Sequence, residues 1–110
     1  MDPRTFVPDW RDVVTYAAPR PQPALLVDEE ELRVIVGGLE PGGMIPPHLE
    51  RRAVYHALEG EGVFHLDGEA LPFRAGAVVV APAGSSRGIE AVTRLAFLAV
   101  RVGPPLDVTG

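Results

Sequence analysis

Short apolar segments separated by turn residues follow one another along most of the chain. The segments are bounded by Gly, Pro and Asp, and Gly and Pro are frequent, at 12 residues each. Apolar segments of this length between turn residues are typical of β-strands, because a helix needs a longer stretch with a 3.6-residue period. We therefore predict strands or extended segments at residues 13–17, 24–27, 32–39, 44–49, 53–58, 63–66, 71–73, 77–81, 89–92 and 94–102.

Turn residues and prolines indicate how these strands are connected. Asp67-Gly68, between two apolar segments, is the strongest hairpin signal in the chain. Pro19, Pro21 and Pro23 exclude a helix and a central strand, so this region is predicted to be an extended arm. The sequence thus predicts an all-β fold, a sandwich or barrel of about eight to ten short antiparallel strands. The predicted parts are an irregular Pro-rich N-terminal arm (1–23), a barrel (24–103) and a C-terminal tail (104–110).

Composition and charge narrow the function classes. A chain of 110 residues is the size of one domain, and it contains no Cys, which excludes disulfides, thiolate metal sites and thiol catalysis. All ten basic residues are Arg, so Lys chemistry is excluded as well. A net charge of -5 argues against nucleic acid as a partner. No segment has the length and hydrophobicity of a membrane span or a signal peptide, so we predict a cytoplasmic protein without a membrane partner.

Two spaced motifs resemble those of the cupin family. In the first, five residues separate Gly42 from His48. The segment ALEGEGVFHLDGE that follows is similar to the family's strand-turn-strand pattern. In the second, Gly76 is followed at family spacing by Pro82 and Gly84. The resemblance covers about half of the chain and implies a small jelly-roll barrel, in which these residues allow tight turns.

The resemblance also indicates which residues occupy the family's metal-ligand positions. Cupins that bind a metal use three His and one Glu. Here His48 is kept, Glu50 stands at the second His position, Ala53 at the Glu position and Arg87 at the third His position, while Ala91 replaces the terminal Asn. Arg stays protonated and cannot coordinate a cation. No metal ligands are therefore assigned and no cofactor is predicted, although a divalent metal stays possible.

These substitutions suggest a pocket of a different kind. Glu50 and Arg87 both stand where family members place ligands around one ion, so we predict that they converge and form an ion pair in place of the metal. The alternative is that both lie at the rim in water. His48 and Tyr55 would lie in the same pocket, and these four residues are the predicted ligand-binding set. The sequence names no catalytic residue.

Strand alternation predicts where the other two histidines lie. If Tyr55 faces the barrel interior, His56 faces outward, and Phe64 inward leaves His65 outward as well. We expect His56 and His65 to lie near each other on that outer face. A register shift by one residue would reverse these directions and reopen a metal site.

Three function classes stay open at this point. The preferred prediction is a barrel that binds a small polar or anionic molecule without a metal. The alternative is a metal-dependent oxygenase or isomerase with an unusual ligand set that includes His48 and Glu50, and the third is a structural or regulatory role with a filled barrel. Whether the chain is an enzyme is left open. A homodimer is expected in each case, and Trp10 is predicted to anchor the N-terminal arm on the barrel or on a partner.

Overall fold

A computed structural model of the chain describes residues 5–106, which contain ten strands and a short 3-10 helix at Trp10–Asp12. The strands are β1 (Tyr16–Ala17), β2 (Ala24–Glu29), β3 (Leu32–Leu39), β4 (Met44–Leu49), β5 (Ala53–Glu59), β6 (Glu61–Leu66), β7 (Glu69–Arg74), β8 (Val78–Ala81), β9 (Ser86–Ala91) and β10 (Leu95–Val102). The ends of the predicted arm and tail, residues 1–4 and 107–110, lie outside the described residues.

The strands form two sheets. The larger has the order β1-β3-β10-β5-β8, with β2 also paired to β3, and the smaller has the order β4-β9-β6-β7. All strand pairs are antiparallel except β1 with β3. Side chains from both sheets meet in one core, so the prediction of an all-β jelly-roll barrel is confirmed.

Aromatic side chains fill the centre of that core. Phe64 and Phe73 are fully buried, and Phe64 packs edge-on against Tyr55, with ring centroids 4.9 Å apart. Burial of a side chain as large as Phe contributes about 1.5–3 kcal/mol. Along β5 the alternate residues Ala53, Tyr55 and Ala57 are buried, which confirms the predicted inward direction of Tyr55.

The backbone geometry of two turns explains why Asp and Gly occur in them. Asp67 and Gly68 both have positive φ, 49° and 85°, which is the geometry of the predicted two-residue hairpin between β6 and β7. Gly60, which alone separates β5 from β6, also has positive φ, and a Cβ there would lie 1.8 Å from the carbonyl oxygen of Arg94. Only Gly therefore fits at this passage between the sheets.

Strand β9 runs from Ser86 to Ala91, so it begins three residues before the predicted start at Ile89. Gly88 explains the difference. A Cβ at Gly88 would lie 2.7 Å from the carbonyl oxygen of Ile45, so Gly permits the close approach of β4 to β9. As a result Arg87 belongs to the sheet and lies opposite His48.

The described part of the N-terminal arm packs on the barrel of its own chain. Trp10 borders a cleft with Leu58 and Leu98 on the outer face of the larger sheet, which is one of the two positions predicted for it. The backbone N–H of Met44 donates to the carbonyl of Pro19 at 2.8 Å. Within residues 5–106, no helix has the length and hydrophobicity needed to cross a membrane.

Tyr16 connects the arm to the barrel. Its hydroxyl donates to Oε2 of Glu59 at 2.8 Å, and the Arg94 guanidinium carbon lies 4.5 Å from the centre of its ring. Burial, followed by the hydrogen bond to Glu59, raises the pKa of Tyr16 from 10.0 to about 12. The folded state therefore favours the protonated phenol.

This pKa shift predicts a pH dependence of stability above pH 10. The contribution of Tyr16 is fully present below pH 10 and is lost as the pH rises towards 12. The free energy of unfolding of the wild type should therefore fall more steeply between these values than that of Tyr16→Phe, measured by urea unfolding at several pH values. Parallel curves for the two proteins would contradict this. Tyr55 is present in both and does not affect the difference.

Candidate functional site

An open cleft leads into one end of the barrel. It has a volume of about 490 Å³, within the range of about 300–1,000 Å³ that is usual for ligand pockets. Beneath it lies an inner cavity of about 20 Å³, which is enough room for about one water molecule. The residues that line both spaces are Ile35, Ile45, His48, Phe97 and Arg101. The inner cavity and the cleft are therefore adjacent, with these side chains between them.

Arg87 forms the base of this site. It is 1% exposed, and its guanidinium ties two loops together. Nη1 donates to the carbonyl of Arg51 at 2.7 Å, and Nη2 lies 3.0 Å from the carbonyl of Glu50 and 2.7 Å from both the carbonyl of Pro82 and Oγ of Ser85. These contacts join the loop after β4 to the loop after β8. Such charge-assisted hydrogen bonds are about twice as strong as neutral ones.

The predicted ion pair between Glu50 and Arg87 is not formed, and that prediction was wrong. The two residues do meet, but through the main-chain carbonyl of Glu50. Its carboxylate instead accepts from the N–H of Arg51 at 2.8 Å and lies 3.9 Å from Nη1 of Arg101. The reason is local, because β4 ends at Leu49 and strand alternation no longer directs the Glu50 side chain inward. The alternative of a solvated rim is also wrong for Arg87, which is buried.

His48 and Tyr55 lie beside Arg87, as predicted for the pocket. His48 is half-buried on β4, its Nδ1 lies 3.2 Å from the carbonyl oxygen of Pro46, and it lines both the cleft and the cavity. Tyr55 is 3% exposed and lines the inner cavity, with its ring centre 6.0 Å from the Arg87 guanidinium carbon. The structure therefore brings three of the four predicted side chains around one cavity.

Two arginines that were not predicted complete the lining. Arg101 lies on β10 at the same parity as the buried Phe97, so it points inward, and its side chain is 16% exposed. That parity was visible in the sequence RLAFLAVRV and could have identified it. Arg20 reaches the cleft from the arm, between Pro19 and Pro21. No local sequence signal marks Arg20, because its position depends on how the arm packs.

Comparison with known proteins places the chain in a family. The sequence profile of the cupin domain matches residues 28–101. The chain belongs to the cupin family. This confirms the resemblance drawn from the spacing of its glycines and prolines.

Several individual cupins and related structures are similar to this one. The chain is 41% identical over 66 residues to an oxalate-binding protein of Thermotoga maritima. This match covers 56% of this chain and 54% of that protein. It thus spans about half the length of that curated relative. Among solved structures, a conserved protein of unknown function from Streptococcus pyogenes has a TM-score of 0.81 and 27% identity, covering 90% of this chain and 88% of that one. A predicted oxalate decarboxylase from Thermotoga maritima has a TM-score of 0.72 and 28% identity, covering 88% and 98%.

The residues of this cupin do not fit the metal site of metal-binding family members. In the part of the chain that the structure describes, no three His, Asp or Glu side chains are grouped so that they could hold an ion. Arg87 is protonated and has no lone pair to offer, and Ala53 has no donor atom in its side chain. A divalent cation next to the Arg87 guanidinium would also be repelled by it.

The other two histidines of this cupin face outward, but they are not neighbours, and the prediction that they lie together was wrong. His56 lies opposite Leu98 in the larger sheet, whereas His65 belongs to the smaller sheet and lies 3.5 Å from Glu90. Strands β5 and β6 follow each other in sequence but belong to different sheets. Outward residues on the two strands therefore face away from each other.

The contacts of Arg87 predict the effect of replacing it. Arg87→Met should lower the free energy of unfolding by about 1–3 kcal/mol, because the buried carbonyl of Arg51 loses its donor. It should also speed hydrogen exchange at Gly84, whose N–H donates to Glu50 in the same pair of loops. Arg74→Met, at an exposed end of β7, is the matched control and should change stability by less than about 0.5 kcal/mol. Unchanged protection of Gly84 in Arg87→Met would show that Arg87 does not hold the loops.

Proposed function

We propose that this cupin binds a small carboxylate-bearing molecule in the mouth of its barrel without a metal ion. The observation that carries the proposal is the charge of the cleft. Arg20 from the arm and Arg101 from β10 line it, and no Asp or Glu is among its lining residues within the described chain. This positive site lies in a protein whose net charge is -5. Positive charge concentrated in a cleft attracts and orients an anion.

Each polar residue of the site would have a defined role. Arg20 and Arg101 would hold carboxylate oxygens, since a guanidinium can engage a carboxylate through two parallel hydrogen bonds. His48 would contact the ligand at the entrance to the inner cavity, and Tyr55 and Arg87 would close its base. Glu50 would act through Arg101, whose Nη1 lies 3.9 Å from its carboxylate.

The relatives support a dicarboxylate as small as oxalate. One is named an oxalate-binding protein and another a predicted oxalate decarboxylase. Oxalate carries two adjacent carboxylates, and two arginines from different elements that line one cleft suit such an anion. A decarboxylase that depended on the family's metal would need ligands that Ala53 and Arg87 do not provide. A cytoplasmic location stays a prediction from the sequence.

Titration of oxalate into chelator-treated protein tests this function. Oxalate should bind, and Arg101→Met should weaken binding by about tenfold to a hundredfold, because each hydrogen bond to a charged group contributes about 1.5–3 kcal/mol. Arg20→Met should act in the same direction. Calorimetry on the wild type and on each variant measures the dissociation constants.

Arg74→Met is the control for the loss of one positive charge far from the cleft. Equal affinity of Arg101→Met and the wild type for oxalate would contradict the proposal. So would one equivalent of Fe, Mn, Ni or Zn in the native protein that is lost in His48→Ala, since this would identify a metal site.

We also propose that a second copy of the chain covers the outer face of the larger sheet. Val78 and Val80 on this face are each 59% exposed. The outward positions of β5, β8 and β10 carry no Arg, Asp or Glu. Ala96 is buried and Leu58 and Leu98 border the cleft with Trp10, which leaves Val54, His56, Val78, Val80, Val100 and Val102 for the partner. A face with no charged Arg, Asp or Glu does not repel its own copy, and exposed apolar patches of this kind mark interfaces.

Light scattering after size-exclusion chromatography tests the dimer. The wild type should have the mass of two chains of 11.8 kDa each, and Val80→Arg should have the mass of one, because the charge would be buried without a partner. Val92→Arg is the matched control, since Val92 is also 59% exposed but lies beyond β9. A monomeric wild type would refute the proposal.

A further inference from the structure

The inner cavity beneath the mouth has its own chemistry. It holds about 20 Å³, and its polar lining consists of His48, Tyr55, Arg87 and Arg101, with no Asp or Glu among the lining residues described. We infer that this cavity is a site for a single negatively charged acceptor atom. The atom is either a halide ion or one carboxylate oxygen of the ligand in the mouth. The assignment of a carboxylate oxygen rests on the proposed function, whereas the assignment of a halide does not. These two are called the carboxylate source and the halide source of the atom.

The charge of Arg87 is the main argument. Within residues 5–106, no Asp or Glu carboxylate oxygen lies within 4 Å of its guanidinium. Its partners are three carbonyls and one hydroxyl, and its Nε is buried without a hydrogen-bond partner in the described chain. A buried charge is unfavourable unless it is paired, so an anion beside this guanidinium would supply the missing negative charge.

Arg101 adds a second guanidinium whose Nε is unpartnered in the same way among the described residues. Its Nε is also buried without a partner in the described part of the chain, and its contact with Glu50 is long, at 3.9 Å. Arg101 lies directly opposite Arg33 in the pairing of β10 with β3. Like charges at opposed positions destabilise a sheet. Asp28, 3.8 Å from Nε of Arg33, and Glu50 offset part of this repulsion, and an anion at this end of the barrel would reduce it further.

Size decides what enters. The inner cavity admits one water-sized particle, so a whole carboxylate does not fit, but a single-atom anion or one oxygen of a larger anion does. The cleft above it, at about 490 Å³, has room for the rest of such a ligand. Because His48 and Arg101 line both spaces, a ligand seated in the mouth could place one oxygen in the cavity.

Crystals of the chelator-treated protein grown in sodium bromide test the halide source directly. Anomalous diffraction at the bromine edge should give a peak in the inner cavity, within hydrogen-bond distance of the Arg87 guanidinium. A cavity that holds only water while bromide is bound elsewhere on the protein would overturn that source. A second crystal grown with oxalate and without halide should show one oxalate oxygen at the same position.

Competition between bromide and oxalate in solution shows whether the two anions bind at the same site. If they share the site, bromide at nine times its own dissociation constant should raise the apparent dissociation constant of oxalate about tenfold, whereas sodium sulfate at equal ionic strength should not. If a bromide peak appears without competition, the site takes a halide only. If oxalate binds but neither anion enters the cavity, the proposed function stands and this inference fails. If bromide enters but oxalate does not bind, the inference stands and the proposed function fails.

Two variants connect the cavity to these effects. Arg87→Met should abolish the bromide peak and the competition. Because this variant loses loop contacts, Ile45→Phe provides an independent test, since it reduces the cavity volume and leaves Arg87 in place. A bromide peak that persists in folded Arg87→Met would overturn the assignment of the charge, and one that persists in folded Ile45→Phe would overturn the assignment of the cavity.

Discussion

The hydrogen bonds between Arg87 and the main chain of two loops hold the site together. The guanidinium joins the loop after β4 to the loop after β8 through the carbonyls of Glu50, Arg51 and Pro82. His48 lies directly across the sheet from Arg87, and Tyr55 packs beside it. One buried side chain therefore fixes the two loops that lie beside the interior polar groups. In metal-binding cupins an ion has that central position, and its ligands surround it.

The charge distribution of this cupin follows from its arginines. Arg20, Arg87 and Arg101 are gathered at one end of the barrel, while the chain as a whole carries a charge of -5. Acidic residues elsewhere favour solubility, and they leave the mouth as a positive region into which an anion can be steered. Arg51, which is 7% exposed, donates to the carbonyls of Glu30 and Gly103 and so fixes the backbone around the same end.

Local patterns predicted most of the fold and only part of the site. The strands, the Asp67-Gly68 hairpin and the inward direction of Tyr55 follow from period-two alternation and turn chemistry, which the sequence displays directly. The Glu50 side chain could not be placed in this way, because it follows the end of a strand and has no alternation to direct it. Arg20 needed the tertiary position of the arm, and the separation of His56 from His65 needed the assignment of consecutive strands to different sheets.

A guanidinium in place of a metal would change what such a barrel can do. A metal ion accepts lone pairs and can exchange its ligands, whereas Arg offers fixed N–H donors in one plane and stays protonated. A site built on Arg87 therefore suits recognition of a carboxylate by geometry and charge better than activation of a bound molecule. Because the guanidinium is anchored by its Nη atoms, it would need little rearrangement to bind an anion, and such preorganisation favours affinity. The guanidinium is also a covalent part of the chain and stays protonated, so its positive charge is permanent and binding would not depend on metal supply.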